Sequence, residues 1–201
     1  MADQQHYFSA TPSAEHTPRV VDVELPGVSL RLATDAGMFS PRQLDPGTKV
    51  LLTEAPSPPV DGDLLDLGCG YGPIALTMAR RCPDRRVFGV DVNRRAVELA
   101  AANASANGLS NVVFSLVGEM PETQRFAAIY SNPPIRVGKP ALHEMLLTWL
   151  PRLRPGGVAY LVVQRNLGAD SLASWLGEQG HEVERISSHR GYRVLAVESA
   201  D

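Results

Sequence analysis

Apolar and polar residues alternate with a period of two along Val20–Glu24 and again along Val28–Leu32, with Pro26-Gly27 between them. That period places alternate side chains on opposite faces of a strand, and the Pro-Gly pair suits a turn, so an N-terminal hairpin is expected. The preceding residues 1–18 are polar and carry Pro12 and Pro18, which reads as an ordered arm or a frayed tail. Thr34-Asp35-Ala36-Gly37-Met38-Phe39-Ser40 reads as a loop. A helix is expected from Pro46 to about Thr53, capped by Asp45, with proline at the first position where its missing N–H leaves no bond unmade. Residues 55–62 (APSPPVDG) form a proline-rich connector.

From Asp63 the pattern changes to short apolar runs alternating with helical spacing. Strands are expected at Leu64–Leu67, Val87–Val90, Val112–Leu116, Ala127–Tyr130 and Val158–Val163. Helices are expected at Ile74–Cys82, Arg94–Asn107, Ala141–Leu150 and Ser171–Gln179, with Gly108 and Gly180 ending two of them. Pro155-Gly156-Gly157 turns the chain into the strand at 158. Strands alternating with helices predict an α/β fold, a mostly parallel, doubly wound, Rossmann-like sheet. The last two strands, Val183–Ser187 and Arg193–Glu198, are joined by a polar loop without a helix and predict an antiparallel C-terminal edge. The expected organisation is one structural domain, with residues 1–62 (arm, hairpin and helix) packing on a core of residues 63–201.

Composition narrows the partners. A chain of 201 residues with 44% hydrophobic content can bury roughly 70% of its unfolded surface and needs no staples. Nineteen basic against 22 acidic residues, a net charge of −3, exclude a strongly basic nucleic-acid coat, so any RNA contact must use a local patch. Cys69 and Cys82 have no metal-ligand spacing, which points to no metal and a reduced compartment. The N-terminus MADQQHYFSA lacks the basic and apolar regions of a signal peptide. No apolar run reaches the ~18 residues of a membrane span. The expectation is a cytoplasmic protein with no membrane partner.

The first strand runs into Asp66-Leu67-Gly68-Cys69-Gly70-Tyr71-Gly72-Pro73. Glycines permit a tight turn and let a backbone approach a ligand, and the following helix presents N–H groups. Asp66 would repel a pyrophosphate but suits an ammonium group, such as that at the methionyl end of S-adenosylmethionine. Asp91, followed by Val92, ends the second strand roughly 20 residues after the glycines, where a carboxylate can accept from both ribose hydroxyls. Gly118-Glu119 follows the third strand and would lie near the adenine. The plainer reading is a glycine turn with Asp66 and Asp91 as helix caps. A nicotinamide site is a further alternative, disfavoured by Asp66 and by the next motif.

The fourth strand ends in Asn132-Pro133-Pro134-Ile135. Proline stiffens a loop and removes N–H donors, leaving carbonyls to accept. An aryl or amide nitrogen is a poor nucleophile because its lone pair is delocalised. Hydrogen bonds from an NH2 group to the Asn132 side-chain oxygen and the Pro133 carbonyl would pyramidalise it and aim the lone pair at a sulfonium methyl. Such a site supplies positioning and electrostatics, not a strong base. The alternative is a proline-rich turn with a capping asparagine. Ligands bind along the C-terminal edge of such sheets, which favours the catalytic reading.

These residues resemble the class I S-adenosylmethionine-dependent methyltransferases of the small-domain group, which includes ribosomal RNA small subunit guanine-N2 methyltransferases and archaeal relatives. The similarity runs through His6-Tyr7-Phe8-Ser9, Thr34-Asp35-x-Gly37-x-Phe39-Ser40, Leu44-Asp45-Pro46-Gly47-Thr48, the glycine motif, Asn132-Pro133-Pro134-Ile135-Arg136-x-Gly138-Lys139 and Gly191-Tyr192-Arg193-Val194-Leu195. It implies a class I methyltransferase sheet with S-adenosyl-L-methionine held by Asp66, Gly68, Cys69, Gly70, Tyr71, Gly72, Asp91, Val92, Gly118, Glu119 and Asn132. It implies that Asn132 and Pro133, in one loop with Pro134 and Ile135, hold the target amine, that Phe39 packs near cofactor or base, and that the substrate is RNA, ribosomal RNA in particular. Arg136 and Lys139 follow this loop and read either as substrate-binding residues on phosphates or as solvated surface charge. Several base-methylating relatives carry an aromatic after the second proline, which stacks on the flipped base. Ile135 stands there in this chain, which leaves stacking to Tyr71, Phe39 or Tyr7. Enzymes that methylate glutamine in proteins share Asn-Pro-Pro, and these, small-molecule N-methyltransferases and a non-catalytic RNA-binding module stay as alternatives.

The remaining candidates have plainer readings. His143 has no carboxylate partner in the pattern and is expected to be a surface or core histidine, not a base. The pairs Arg80-Arg81, Arg85-Arg86 and Arg94-Arg95 read as helix-surface charge, and His189-Arg190 with Arg193 as an RNA-facing loop or a solvated one.

Overall fold

The computed structural model describes residues 18–35 and 43–198, without the side chains of Pro18 and Arg136. Tyr7, its neighbours in the arm, and Phe39 lie outside the described residues. The hairpin is present as β1 (Pro18–Leu25) and β2 (Val28–Asp35), antiparallel, with Leu25 opposite Val28 across Pro26-Gly27. Thr34 and Asp35, expected in a loop, are the last residues of β2 and lie opposite Arg19 and Pro18. The ladder outruns the apolar pattern, and both polar side chains are buried at 2% exposure.

The chain continues as α1 (Pro46–Glu54), β3 (Leu64–Leu67), α2 (Pro73–Arg81), β4 (Val87–Asp91), α3 (Arg94–Ala106), β5 (Val112–Leu116) and β6 (Phe126–Ser131). Then come α4 (Lys139–Trp149), β7 (Leu153–Gln164), α5 (Ala169–Glu178), β8 (Val183–His189) and β9 (Tyr192–Glu198). Seven strands form one mixed sheet in the order β5-β4-β3-β6-β7-β9-β8, and β1 and β2 form a separate two-stranded sheet. This is the expected Rossmann-like arrangement.

Two compact units make up the chain. One comprises the residues up to Asp45 and Gly68–Met120. Within it, β4 and β5 pair in parallel from Val87 opposite Val112 to Asp91 opposite Leu116. Strand β2 touches both α2 and α3, and the hairpin buries Val21, Val23, Leu30 and Leu32 at 2% exposure or less. Along the β2 backbone, α3 supplies a substitute strand made of two side chains. Asn103 accepts from the Ala33 N–H (2.7 Å) and donates to the Ala33 carbonyl (2.9 Å). One helical turn on, Asn107 accepts from the Arg31 N–H (3.1 Å) and donates to the Arg31 carbonyl (3.0 Å). The match is geometric: residues i and i+4 share a helix face, and residues i and i+2 share a strand edge.

The other unit comprises Pro46–Leu67 and Pro121–Asp201. Here β3, β6 and β7 pair in parallel. All six residues of β6 are buried, as expected of a strand covered on both faces. Strand β9 runs antiparallel to β7, and β8 pairs antiparallel outside it. The C-terminal strand is thus reversed, as expected, and lies one strand in from the edge. The polar loop expected between β8 and β9 is a two-residue turn, with φ 50° at Arg190 and 82° at Gly191, the signs a twisted hairpin requires.

Strand β7 starts earlier than the sequence suggests. Leu153 lies opposite Phe126 and Val158 opposite Ala128, so residues 154–157 bulge out of the ladder. Gly157 sits where a Cβ would approach the carbonyl oxygens of Ala127 and Arg154 at 2.9 Å. The Pro-Gly-Gly segment therefore interrupts a strand where a turn before it was expected.

Candidate active site

The glycine turn belongs to the first unit. Gly68, Gly70 and Gly72 have φ of 79°, 54° and 94°, left-handed values that glycine adopts without a Cβ penalty. The Gly68 and Cys69 N–H groups both donate to the Val90 carbonyl at 2.9 Å, and the Gly72 N–H donates to the Cys69 carbonyl at 2.9 Å. At Gly72 a Cβ would lie 3.2 Å from that of Ala100, so this glycine lets α2 begin close against α3. At Gly68 and Gly70 an added Cβ would meet nothing within 4 Å. There the backbone is bare toward open space, which a ligand could approach and a side chain would fill.

Asp91 is built into this turn. Its Oδ2 accepts from the Gly70 N–H at 2.9 Å and its Oδ1 from the Asn93 N–H at 2.9 Å. Helix α3 is capped by Asn93, whose Oδ1 accepts from the Arg95 N–H, so Asp91 is not that cap. The hold on Gly70 is a partner of Asp91 that the sequence pattern does not announce. A carboxylate offers about four lone-pair sites, so this hold is compatible with the expected ribose hydroxyls. Burial pushes the Asp91 carboxyl above its ordinary value, against the lowering effect of backbone hydrogen bonds from Asn93, Gly70 and Val92.

Cys69 and Tyr71 are both buried, at 3% exposure. Burial, with a smaller contribution from the charge of Asp45, holds the Tyr71 phenol well above its ordinary pKa. That corrects the expectation that Tyr71 could stack on a base, because its ring face is enclosed. Val92, next to Asp91, is 51% exposed. Gly118 and Glu119 lie in the turn Val117–Glu119 after β5. Glu119 accepts from the Leu116 N–H at 3.1 Å and faces Arg94 across the surface at 3.6 Å.

The Asn-Pro-Pro segment belongs to the second unit. Asp66, 1% exposed, lies opposite Tyr130 in the β3–β6 ladder. The Ser131 hydroxyl donates to the Leu67 carbonyl at 2.7 Å, so β3 and β6 end level. The Asn132 segment continues from that end of β6. The Asn132 Nδ2 donates to the Thr48 Oγ1 at 3.0 Å, which orients the amide with its acceptor oxygen at the opposite end.

Pro134, at φ −74° and ψ 74°, is the centre of an inverse γ-turn. The Pro133 carbonyl accepts from the Ile135 N–H at 2.8 Å, and the Pro134 carbonyl from the Val137 N–H at 3.1 Å. Each proline carbonyl thus already accepts one backbone hydrogen bond. Each oxygen has a second lone pair. Ile135 and Lys139 line a groove with Leu142, His143 and Leu167. His143 stacks on Trp175, ring centroids 3.6 Å apart, which is a packing contact.

Thr48 is the partner of Asn132 to which the sequence pattern does not point. It stands in the Leu44-Asp45-Pro46-Gly47-Thr48 segment, where no local pattern assigns it a role. Thr48→Val is expected to lower kcat about 5–10-fold, the loss of one oriented neutral hydrogen bond, and Thr48→Ser to restore it. Steady-state kinetics at saturating cofactor check this, and a wild-type kcat for Thr48→Val would remove Thr48 from the site.

Among the described residues no cluster of His, Cys, Asp or Glu could hold a metal ion, and no helix is long and apolar enough to cross a membrane. The profile of the methyltransferase small domain family matches residues 29–196. The chain is 36% identical over 194 residues to the uncharacterized protein YbxB of Bacillus subtilis, covering 95% of this chain and 96% of that one. It is 31% identical over 201 residues to ribosomal RNA small subunit methyltransferase C of Shewanella amazonensis, covering 94% of this chain and 57% of that one. Among solved structures, the 16S rRNA N2 guanine methyltransferase of Thermus thermophilus, in complex with AdoMet and guanosine, matches with a TM-score of 0.74 at 26% identity. The match covers 94% of this chain and 52% of that one, so the chain spans a little over half the length of these two methyltransferases. With its glycine turn, its Asn-Pro-Pro segment and a family match over most of its length, the chain belongs to the methyltransferase small domain family and is an S-adenosylmethionine-dependent methyltransferase.

Proposed function

We propose that this enzyme methylates the exocyclic amine of guanine in ribosomal RNA. The observation that carries the reading is the Asn132 amide, fixed by Thr48 at the end of β6 with its oxygen turned outward from that bond. When bound, S-adenosylmethionine supplies a methyl group on a sulfonium: the acceptor nitrogen's lone pair forms the new C–N bond as the C–S pair returns to sulfur. The chain's own work is to hold and aim. The bare backbone at Gly68 and Gly70, with Cys69, Tyr71 and Gly72 shaping the turn, receives the methionyl end, whose ammonium suits Asp66. Asp91 accepts from ribose hydroxyls, and the exposed Val92 offers apolar surface to the adenine, with Gly118 and Glu119 nearby. Asn132, seconded by the remaining lone pair of the Pro133 carbonyl, accepts from the NH2 group. Bonding there takes the nitrogen out of conjugation, and the proton it loses goes to water. Pro134 and Ile135 stiffen this segment, while Phe39, Arg136 and Lys139 are assigned to the RNA. The similarity to methyltransferases named for ribosomal RNA supports the acceptor.

One observation favours a second reading, methylation of a glutamine amide in a protein. Ile135 stands where an aromatic would stack on a base, and Tyr71 is enclosed. Incubating the enzyme with tritiated S-adenosylmethionine and either RNA or protein from cells lacking it separates the two. Label in ribosomal RNA, at guanine N2, is expected. Label in the protein fraction alone would replace the guanine reading with the glutamine one.

Asp91→Ala is expected to weaken cofactor binding roughly 10–100-fold in calorimetry, since charge-assisted hydrogen bonds are worth about 1.5–3 kcal/mol. The pH dependence has a definite sign. A carboxyl with a raised pKa holds its proton more tightly in the folded chain than in the unfolded one. It therefore favours folding below the ordinary value of 3.8, and that contribution is lost as pH rises through the raised value. Cofactor binding uses the ionised form, so affinity should fall as pH drops through that same raised value. In Asp91→Asn this acid limb should be absent, and an unchanged limb would assign the titration to another group.

A further inference from the structure

The turn that the proposed function assigns to the cofactor is held from two sides. On one side Val90 and Asp91 take the N–H groups of Gly68, Cys69 and Gly70. On the other the Asn103 Nδ2 donates to the Tyr71 carbonyl at 2.9 Å. That same amide pairs in both directions with Ala33 of β2. Asn103 is 2% exposed, and both its amide hydrogens and its oxygen are engaged. Rotating the amide by half a turn would set NH2 against the Ala33 N–H and oxygen against two carbonyls, so its orientation is enforced. Among the described residues the Asn107 side chain repeats the pairing at Arg31 and donates to the Asn103 carbonyl, and it makes no bond to the turn. Glycine-rich backbone has the most freedom to lose on ordering, and a ligand bound by such backbone needs it already ordered.

We infer that Asn103 is a positioning residue that locks the cofactor turn against the N-terminal hairpin, so that cofactor affinity and the order of β2 at Ala33 are coupled through one side-chain amide. Coupling of this kind needs the two groups to share a partner with no slack, and the three bonds at Asn103, of 2.7, 2.9 and 2.9 Å, leave none. The effect is expected on the cofactor and not on the acceptor, because the group that Asn103 holds is the glycine turn.

The test compares two substitutions on the same helix. Asn103→Asp keeps an acceptor for the Ala33 N–H and places oxygen against the Tyr71 and Ala33 carbonyls. Asn107→Ala removes the pairing at Arg31 and leaves the turn alone. Calorimetry with S-adenosylmethionine should show the dissociation constant raised about tenfold or more in Asn103→Asp, and within about twofold of wild type in Asn107→Ala. Steady-state kinetics should show the same split, a raised KM for the cofactor with the KM for the acceptor unchanged. An Asn103→Asp affinity equal to wild type, or an equal loss in both variants, would overturn the inference.

Should Asn103→Asp not fold, amide hydrogen exchange on the wild-type protein decides. Saturation with S-adenosylhomocysteine should slow exchange at Ala33 more than at Arg31, and equal slowing would count against the coupling. The inference rests on the assignment of this turn to the cofactor, and Asp91→Ala separates the two. If that variant binds normally, the assignment fails. If it binds weakly while Asn103→Asp binds normally, only the coupling fails.

Discussion

Asn132→Ala is expected to lower kcat about 10²–10³-fold while leaving the cofactor dissociation constant within about twofold of wild type. The magnitude is that of losing one preorganised polar group aimed at a reacting centre. Only the bound acceptor profits from that group, so the loss appears in kcat and not in cofactor affinity. Thr48 sets the orientation, and the Pro133 carbonyl, already accepting from Ile135, has one lone pair to offer and cannot replace it. Asn132→Asp retains the oxygen but loses the donor to Thr48 and adds a charge, so it should recover part of the rate at most. Single-turnover kinetics with preformed enzyme–cofactor complex measure the step directly. A rate near wild type for Asn132→Ala would remove this residue from the mechanism.

The second large effect is on stability. Arg95→Ala is expected to destabilise the fold by about 3 kcal/mol, the lower end of what removing one partner of a buried ion pair costs. In a chain of this size that is a fall in Tm of about 6–12 °C. The pair joins the Arg95 guanidinium of α3 to the Asp35 carboxylate at the end of β2. Asp35 is 3% exposed and Arg95 29%. The penalty therefore arises chiefly at the buried carboxylate, which loses the charged partner that Arg95 supplies. The lower end is chosen because Arg95 itself keeps some contact with solvent. Adding Asp35→Asn should recover much of the loss, since the buried group is then neutral. Thermal unfolding of both variants tests this, and a shift below about 2 °C for Arg95→Ala would show that other partners carry Asp35.

Both effects bear on how far the chain can be read before it is folded. Arg95 reads as helix-surface charge, and its neighbours in the arginine pairs largely are that. Arg94 meets Glu119 across an exposed surface, and Arg86 lies over the Phe88 ring. Nothing local distinguishes Arg95 from them. What sets it apart is Asp35, 60 residues away, in a segment whose sequence reads as a loop. The same limit applies to the Pro133 carbonyl. Two prolines announce missing N–H donors, but the partners their carbonyls find depend on how residues 134–137 curl into α4. Strand β7 shows it again, where the ladder with β6 continues past a Pro-Gly-Gly segment that reads as a boundary.

The sequence alone determined the order and type of the strands and helices, the hairpin, the reversal of the C-terminal strand and the placement of both motifs at strand ends. Those features arise from side-chain period, glycine's left-handed conformations and proline's fixed φ, each of which acts within a few residues. The tertiary structure alone decided which groups meet: Asn132 with Thr48 across 84 residues, Asn103 with Ala33 across 70, Asp35 with Arg95 across 60. Such encounters depend on chain closure, because a side chain acquires a distant partner only once the intervening strands and helices have packed.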